Sequence, residues 1–277
     1  VRLRVDVAYD GTDFAGWARQ PGMRTVEGCL GDAFALVTRE PIRMTVAGRT
    51  DAGVHARRQV VHVDLGPRAE GRVIGRTERP IGEALVRRLT GALAVGRAPD
   101  IAVLDARVAP PEFDARFGAL WRRYSYRIAD RPQTMDPLRR HDTLHVKFPL
   151  DIDAMNASAE PLAGHHDFLS FCKPREGATT FRTLLEFRFD RQDDGVVAAT
   201  IKADAFCHHM VRALIGACLA VGGGRENAAW PARLLARASR ELMVNVAPAH
   251  GLCLDEVAYP PDAELAARAH ATRARRG

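Results

Sequence analysis

Arg43-Met44-Thr45-Val46-Ala47-Gly48-Arg49-Thr50-Asp51-Ala52-Gly53-Val54-His55 reads as a strand running into a loop framed by glycines, and the rest of the chain is organised around it. Gly48 and Gly53 permit backbone angles and close approaches that side chains resist. Between them sits one acid, Asp51, with Arg49 before it and His55 after it. A carboxylate at a strand end on such a loop is well placed for chemistry, because loops on a rigid scaffold carry function. Aspartate is also favoured as an N-cap and as a turn residue, so the stretch alone leaves both readings open.

Working outward, Leu3, Val5 and Val7 alternate with Arg2, Arg4 and Asp6, the pattern of a half-buried strand. Tyr9-Asp10-Gly11-Thr12-Asp13-Phe14-Ala15-Gly16-Trp17 breaks that pattern and reads as an ordered loop with its aromatics packed beneath it. Val26, Leu30, Ala33, Phe34 and Val37 recur at helical spacing behind Thr25, a suitable N-cap, and Pro41 follows. Beyond the Asp51 loop, Gln59–Leu65 is the next strand. Gly66–Pro80 is polar, rich in Arg and Gly, and without periodicity, which predicts a mobile loop or insertion. Ile81–Leu93 places Ile81, Leu85, Leu89 and Leu93 on one helical stripe. Asp100–Val108 reads as a strand, and Pro110-Pro111 forces an extended connection.

The second half repeats this order. Asp151–Leu162 predicts a helix, and Phe181–Phe189 and Val196–Ala203 predict strands joined by the hairpin signal Asp193-Asp194-Gly195. Phe206–Val221 reads as a strongly apolar helix ended by Gly222-Gly223-Gly224. Trp230–Leu242 is a further helix, Leu252–Tyr259 a closing strand, and the Ala- and Arg-rich tail after Pro261 is expected to fray. Strand–helix–strand–strand–helix–strand order in each half predicts an α+β chain of two ferredoxin-like (RRM-like) modules, residues 1–112 and 113–260, with a basic tail over 261–277.

Composition narrows the function classes. Apolar residues make up 47% of the 277, enough for a real core, and the net charge of +6 points to a polyanionic partner such as nucleic acid. Nearly all of the positive charge is arginine, whose planar fork suits phosphate. Cys29, Cys172, Cys207, Cys218 and Cys253 form no CxxC pair, which argues against a disulfide framework or zinc site and for a reducing cytoplasm. No window has the length of apolar sequence that spans a membrane.

Other chemistry-bearing residues lie far from the loop. In Phe113–Ile128, Arg116, Arg122, Arg123 and Arg127 interleave with Phe117, Trp121, Tyr124 and Tyr126. At strand spacing Tyr124, Tyr126 and Ile128 share one face and Arg123, Ser125 and Arg127 the other. That pattern suits base stacking with phosphate contact, and equally an amphipathic strand with a solvated arginine face. Arg212 sits in Phe206-Cys207-His208-His209-Met210-Val211-Arg212-Ala213-Leu214-Ile215-Gly216, too apolar for a surface helix, so it needs an anionic partner. That partner is either a structural carboxylate or Asp51, whose ionised form the pairing would favour. The pairs His165-His166 and His208-His209 lack a metal-ligand spacing, and no GxSxG, GxxxxGK[ST] or GxGxxG context exists. No metal and no nucleotide cofactor is expected.

Ala47-Gly48-Arg49-Thr50-Asp51-Ala52-Gly53-Val54-His55 resembles the signature loop of the bacterial anticodon-arm pseudouridine synthases, the tRNA pseudouridine synthase A family. Tyr9 to Trp17, Phe113-Asp114-Ala115-Arg116-Phe117, Arg123-Tyr124-Ser125-Tyr126, Phe168-Leu169-Ser170-Phe171, Phe206 to Arg212 and Gly251-Leu252-Cys253-Leu254 follow in the family's order, over roughly residues 1–260. The resemblance implies isomerisation of uridine to pseudouridine at positions thirty-eight to forty of tRNA, without cofactor or metal. It implies Asp51 as the catalytic carboxylate, Arg212 as its charge partner, Tyr124 as the ring that stacks on uracil, and Arg49 as the group that replaces the extruded base. It further implies two modules whose mixed and antiparallel sheets join around a central basic cleft, lined by the strand carrying Arg116 and Arg123, and a homodimer on tRNA. Leu89 to Arg97 departs from the family pattern, and so do single positions in Trp17-Ala18-Arg19-Gln20 and Gly251-Leu252-Cys253-Leu254. None of these departures touches the four residues given roles. The rival readings are a non-catalytic RNA-binding protein with paired α+β modules and a metal-independent N-glycosidase.

Overall fold

A computed structural model describes residues 1–76, 78–173, 179–239 and 244–276, with side chains to 273. In chain order the main elements are β1 (Arg2–Tyr9), α1 (Val26–Thr38), β2 (Met44–Val46), β3 (His55–Asp64), α2 (Pro67–Ile74), α3 (Ile81–Val95) and β4 (Ile101–Val108). There follow β5 (Trp121–Ala129), β6 (Leu144–His145), α4 (Ile152–Ala159), β7 (Gly164–Asp167), β8 (Phe181–Arg191), β9 (Val197–Ala203), α5 (Met210–Gly222), α6 (Trp230–Arg237), β10 (Leu252–Ala258) and α7 (Leu265–Arg276). The class is mixed α+β. Two compact units divide the chain: Val1–Leu120 with Leu254–Arg275, and Trp121–Cys253.

In the first unit the strand order is β4-β1-β3-β10, with β2 added to β3. β1 lies antiparallel to both β3 and β4, so Leu3, Val5 and Val7 point into the core and are wholly buried. Thr25 caps α1 by accepting from Gly28 N, and Leu30 and Phe34 bury the helix's apolar face. α3 lies close to β4 because Gly82 has no side chain: a Cβ there would overlap the carbonyl oxygen of Ala106.

In the second unit the order is β5-β9-β8-β7, with β6 parallel to β5 and the other pairs antiparallel. The expected hairpin joins β8 to β9, and Gly195 takes the left-handed conformation (φ 77°) that its turn needs. α5 is buried along nearly its whole length.

Several expectations need correction. Gly66–Pro80 is not a structureless loop, since Pro67–Ile74 forms α2. Pro67 opens the helix, Ala69 and Val73 are buried, and Arg88 Nε of α3 donates to Val73 O at 2.7 Å. The tail does not fray at once after Pro261 but forms α7, which buries Leu265 and Ala269 and donates from Arg268 Nη2 to Ala119 O at 3.0 Å. The apolar helix begins at Met210 rather than Phe206, because His209 has a left-handed backbone (φ 68°). The helix expected over Trp230–Leu242 stops at Arg237, where Ala238 takes a left-handed backbone (φ 43°); the expected end at Leu242 lies outside the described residues. Cys172 and Cys207 are joined as a disulfide, against the expectation of unpaired cysteines; their Cα atoms lie 5.6 Å apart although 35 positions separate them.

The second unit begins at Trp121 rather than at 113, and Leu254–Arg275 returns to the first. Hydrogen bonds explain both shifts. Ala115 N donates to His62 Nδ1 of β3 at 3.0 Å, Tyr259 Oη donates to Ala115 O at 2.7 Å, and Arg273 reaches Asp114 at 2.5 Å. Residues 113–120 are thereby tied to β3, β10 and α7, not to β5.

Two outcomes check this packing. Gly82→Ala should destabilise the protein by about 1–3 kcal/mol, the ordinary cost of overpacking, in a urea-unfolding comparison; an unchanged midpoint would contradict the helix–strand approach. Burial, helped by the nearby Arg2, pushes the His62 imidazole below its usual range. The unfolded chain then binds a proton that the folded one resists. The His62 contribution is complete above the ordinary histidine value of about 6.5 and is lost as pH falls below it. Thermal midpoints should drop between about pH 7 and 5 in the wild type and less steeply in His62→Asn, which keeps an acceptor for Ala115 N.

Candidate active site

Two backbone segments build the Asp51 loop, and glycine lets them touch. Gly16 has φ 94°, and a Cβ on it would lie 3.0 Å from Thr50 O and 3.3 Å from the Asp51 carbonyl carbon. Gly11 is packed so tightly that a Cβ would overlap the Val54 carbonyl. Trp17 N donates to Thr50 O at 3.0 Å and Gly53 N to Phe14 O at 3.2 Å. Gly53 has φ 76°, and Val54 N donates back to Asp51 O at 3.2 Å, closing the turn around the acid. The Tyr9–Trp17 loop is therefore the bed on which Asp51 rests.

Buried polar side chains fix the same loop from below. Tyr9 Oη and Thr50 Oγ1 share a hydrogen bond of 2.8 Å, and Gln59 Nε2 donates to Gly48 O at 2.7 Å. Gly11 N donates to His55 Nδ1 at 2.9 Å, and Asp10 Oδ1 lies 3.1 Å from that same nitrogen. Asp51 itself is half-buried and Arg49 exposed. A carboxylate held this way needs little rearrangement to meet a substrate, since its backbone is already hydrogen-bonded on both sides. Thr50, Gln59 and Tyr9 escaped the sequence reading as supports. The available signal was a glutamine directly before the apolar pair Val60-Val61, which the structure buries completely.

In the second unit, β5 sorts its residues as the alternation predicts. Arg122, Tyr124, Tyr126 and Ile128 are buried on one face; Arg123, Ser125 and Arg127 line the other. The two tyrosines differ. Tyr126 is wholly buried, Gly251 packs on its ring, its hydroxyl donates to Pro248 O at 2.8 Å, and burial pushes its pKa far up despite the nearby Arg212. Tyr124 keeps 8% exposure, with the Phe206 ring edge-on at 5.2 Å. Tyr126 is a framework residue, and Tyr124 is the less deeply buried of the pair.

Arg212 lies in the first turn of α5, where it is half-buried among wholly buried neighbours and its Nε donates to Ala247 O at 2.7 Å. A cation at a helix N-terminus opposes the helix dipole, so the position does not serve the helix's own stability. Asp51, Arg49 and Arg116 belong to the first unit, Tyr124, Arg123 and Arg212 to the second. Arg116 lies beside the Phe117 ring, 5.0 Å from its centroid. Arg123 is not brought together with Tyr124, because neighbours on a strand point to opposite faces. His165 and His166 are each engaged within the protein, by Thr183 Oγ1 at 3.2 Å and Ala163 O at 2.8 Å.

The fold and site are those of an arginine-rich α+β protein with a glycine-cradled aspartate, and comparison with known proteins gives its class. Residues 158–260 match the family described as tRNA pseudouridine synthase. A protein of Frankia casuarinae named tRNA pseudouridine synthase A is 57% identical over 275 residues, covering 99% of this chain and 95% of that protein. Its namesakes in Streptomyces griseus and Mycobacterium leprae are 55% and 49% identical, each over 99% of this chain and 93% and 94% of their own lengths. The chain belongs to the tRNA pseudouridine synthase A family.

Tyr9→Phe should cost about 1–2 kcal/mol of stability by removing a buried hydrogen bond. Combined with Thr50→Val it should cost less than the two single losses added, because one bond links them. Additive losses in a denaturation double-mutant cycle would dismiss Tyr9–Thr50 as a support of the loop.

Proposed function

We propose that this chain is an isomerase that converts uridine to pseudouridine in tRNA, at positions thirty-eight to forty of the anticodon arm. Its membership of a family whose members carry that name across nearly their full length is the support for the reaction. In this reaction the bond from uracil N1 to ribose C1′ breaks, the ring turns, and C5 bonds to C1′. The C5 proton leaves and N1 takes one up, so the atoms of substrate and product are the same.

Asp51 supplies the carboxylate beside the sugar. The observation that carries this role is the loop itself, backbone-bonded to the Tyr9–Trp17 segment with the acid half-buried at its tip. Tyr124 offers its ring to the uracil, supported by its residual exposure and by Tyr126 being committed to Pro248. Arg212 is the cation that keeps Asp51 ionised, a role taken from the family resemblance and supported by a placement that its helix does not favour. Arg49, exposed on the loop, takes the space left by the extruded base, an extrusion that costs a few kcal/mol. Arg116 and Arg123 contact the RNA backbone, Arg123 away from the nucleotide at Tyr124.

The finer architecture belongs to the same proposal: two ferredoxin-like modules, the first carrying Asp51 and the second Tyr124 and Arg212. Support comes from the first unit, where β4, β1, β3 and β2 are neighbours in that order, and from β5-β9-β8 in the second. The homodimer rests on the resemblance; the cytoplasmic location rests on the scattered cysteines of the sequence and on where a tRNA-modifying enzyme meets its substrate. No described helix is long and apolar enough to cross a membrane.

Asp51→Asn should bind unmodified tRNA transcript within a few-fold of wild type and form no detectable pseudouridine. Normal turnover by this variant would remove Asp51 from the reaction, and wild-type protein that only binds RNA would establish the non-catalytic reading instead. Arg49→Ala should slow turnover on tRNA by at least about tenfold, the scale of a lost extrusion aid; wild-type rates would end its assignment.

A further inference from the structure

We infer that Cys172 and Cys207 form a reversible thiol–disulfide modification site that slows turnover when closed by a low-molecular-weight disulfide. The regulatory half of this inference rests on the tRNA-isomerase reading above; the site itself does not. Three observations lead to it.

First, the pair is already joined, with a Cα separation of 5.6 Å that lies inside the ordinary range for a disulfide. It links two segments of this unit. One is the 3-10 turn Leu169–Phe171 after β7; the other is the passage from β9 to α5. The same two segments share a backbone hydrogen bond, Lys173 N to His208 O at 2.8 Å.

Second, Cys207 lies in the short passage that runs from the residue beside Tyr124 to the helix carrying Arg212. Phe206 immediately before it presents its ring edge to Tyr124, and His209 just after it, with its left-handed backbone, leads into the turn of α5 that carries Arg212. A covalent tie at Cys207 pins both neighbours. Extruding a uridine onto Tyr124 requires room beside that ring, so the closed bond is the slower state.

Third, the remaining cysteines of known setting are poor competitors. Cys218 is buried beside Ser158 Oγ, and burial pushes its thiol up to about 12, so it is inert near neutral pH. Burial also raises the Cys29 thiol. Within the pair, Cys172 is wholly buried and Cys207 half-exposed, so exchange begins at the Cys207 sulfur. A reductant thiolate attacks Cys207 Sγ, the S–S bond breaks, and Cys172 leaves as a thiolate that takes a proton. A second reductant thiol then attacks the mixed disulfide and frees Cys207. Two electrons pass from two thiols, which end as a disulfide, to the protein pair. Closure is the reverse, with a small disulfide as oxidant.

The test uses the full chain after oxidised or reduced glutathione, with reagent removed. Denatured oxidised protein should titrate three thiols of the five cysteines, and reduced protein five, with the 172–207 linkage found by peptide mapping. Oxidised protein should form pseudouridine in tRNA at least threefold more slowly, recover fully with a dithiol, and lose this sensitivity in Cys207→Ser. Five titratable thiols after oxidation, or a linkage elsewhere, would overturn the site. Equal turnover in both states, or slowing that persists in Cys207→Ser, would overturn the regulation. Reduced wild type that makes no pseudouridine would fail the function reading, while thiol counting would still decide the site.

Discussion

The candidate site depends on one constraint: two stretches of backbone lie against each other without side chains between them. Gly11 and Gly16 place the Tyr9–Trp17 segment directly on residues 50–54, and the hydrogen bonds between Trp17 and Thr50 and between Gly53 and Phe14 follow from that approach. A loop carrying a lone acid between glycines would otherwise be loose, since glycine loses the most conformational freedom on folding. Here the lost freedom is offset by a bed of backbone partners and by the buried Tyr9, Thr50 and Gln59. The acid is thereby presented by a rigid loop.

The same economy of backbone contact explains how the first unit closes. Residues 113–120 give and accept hydrogen bonds with β3 and the C-terminal segment, through His62, Tyr259 and Arg268. A histidine kept neutral by burial is a suitable acceptor for Ala115 N, because a charged imidazole has no acceptor nitrogen. Chain ends that are distant in sequence become one unit, and α7 gains the burial that its Ala- and Arg-rich sequence does not advertise.

In the second unit the decisive feature is the difference between neighbours of similar kind. Tyr124 and Tyr126 share a face of β5, yet Tyr126 has its hydroxyl bonded to Pro248 and its ring under Gly251, while Tyr124 keeps 8% exposure. Arg212 is the single charged residue in a helix otherwise buried, set where the helix dipole disfavours it.

The sequence by itself determined the periodic elements: β1 from its alternation, α1 from its stripe and Thr25 cap, the β8–β9 hairpin from Asp193-Asp194-Gly195, and the two faces of β5. It also singled out Asp51 by its frame of glycines and Arg212 by its apolar surroundings, whereas the choice of Tyr124 and Arg49 came from the family resemblance. Only the tertiary structure decided the rest. α2 and α7 were invisible since each is short or polar and is stabilised by a few buried residues on a neighbour's surface, not by its own pattern. The boundary at Trp121, the return of Leu254–Arg275, and the Cys172–Cys207 pair all join residues far apart in the chain. Periodicity reports which face of an element is buried; it carries no information about which distant segment buries it.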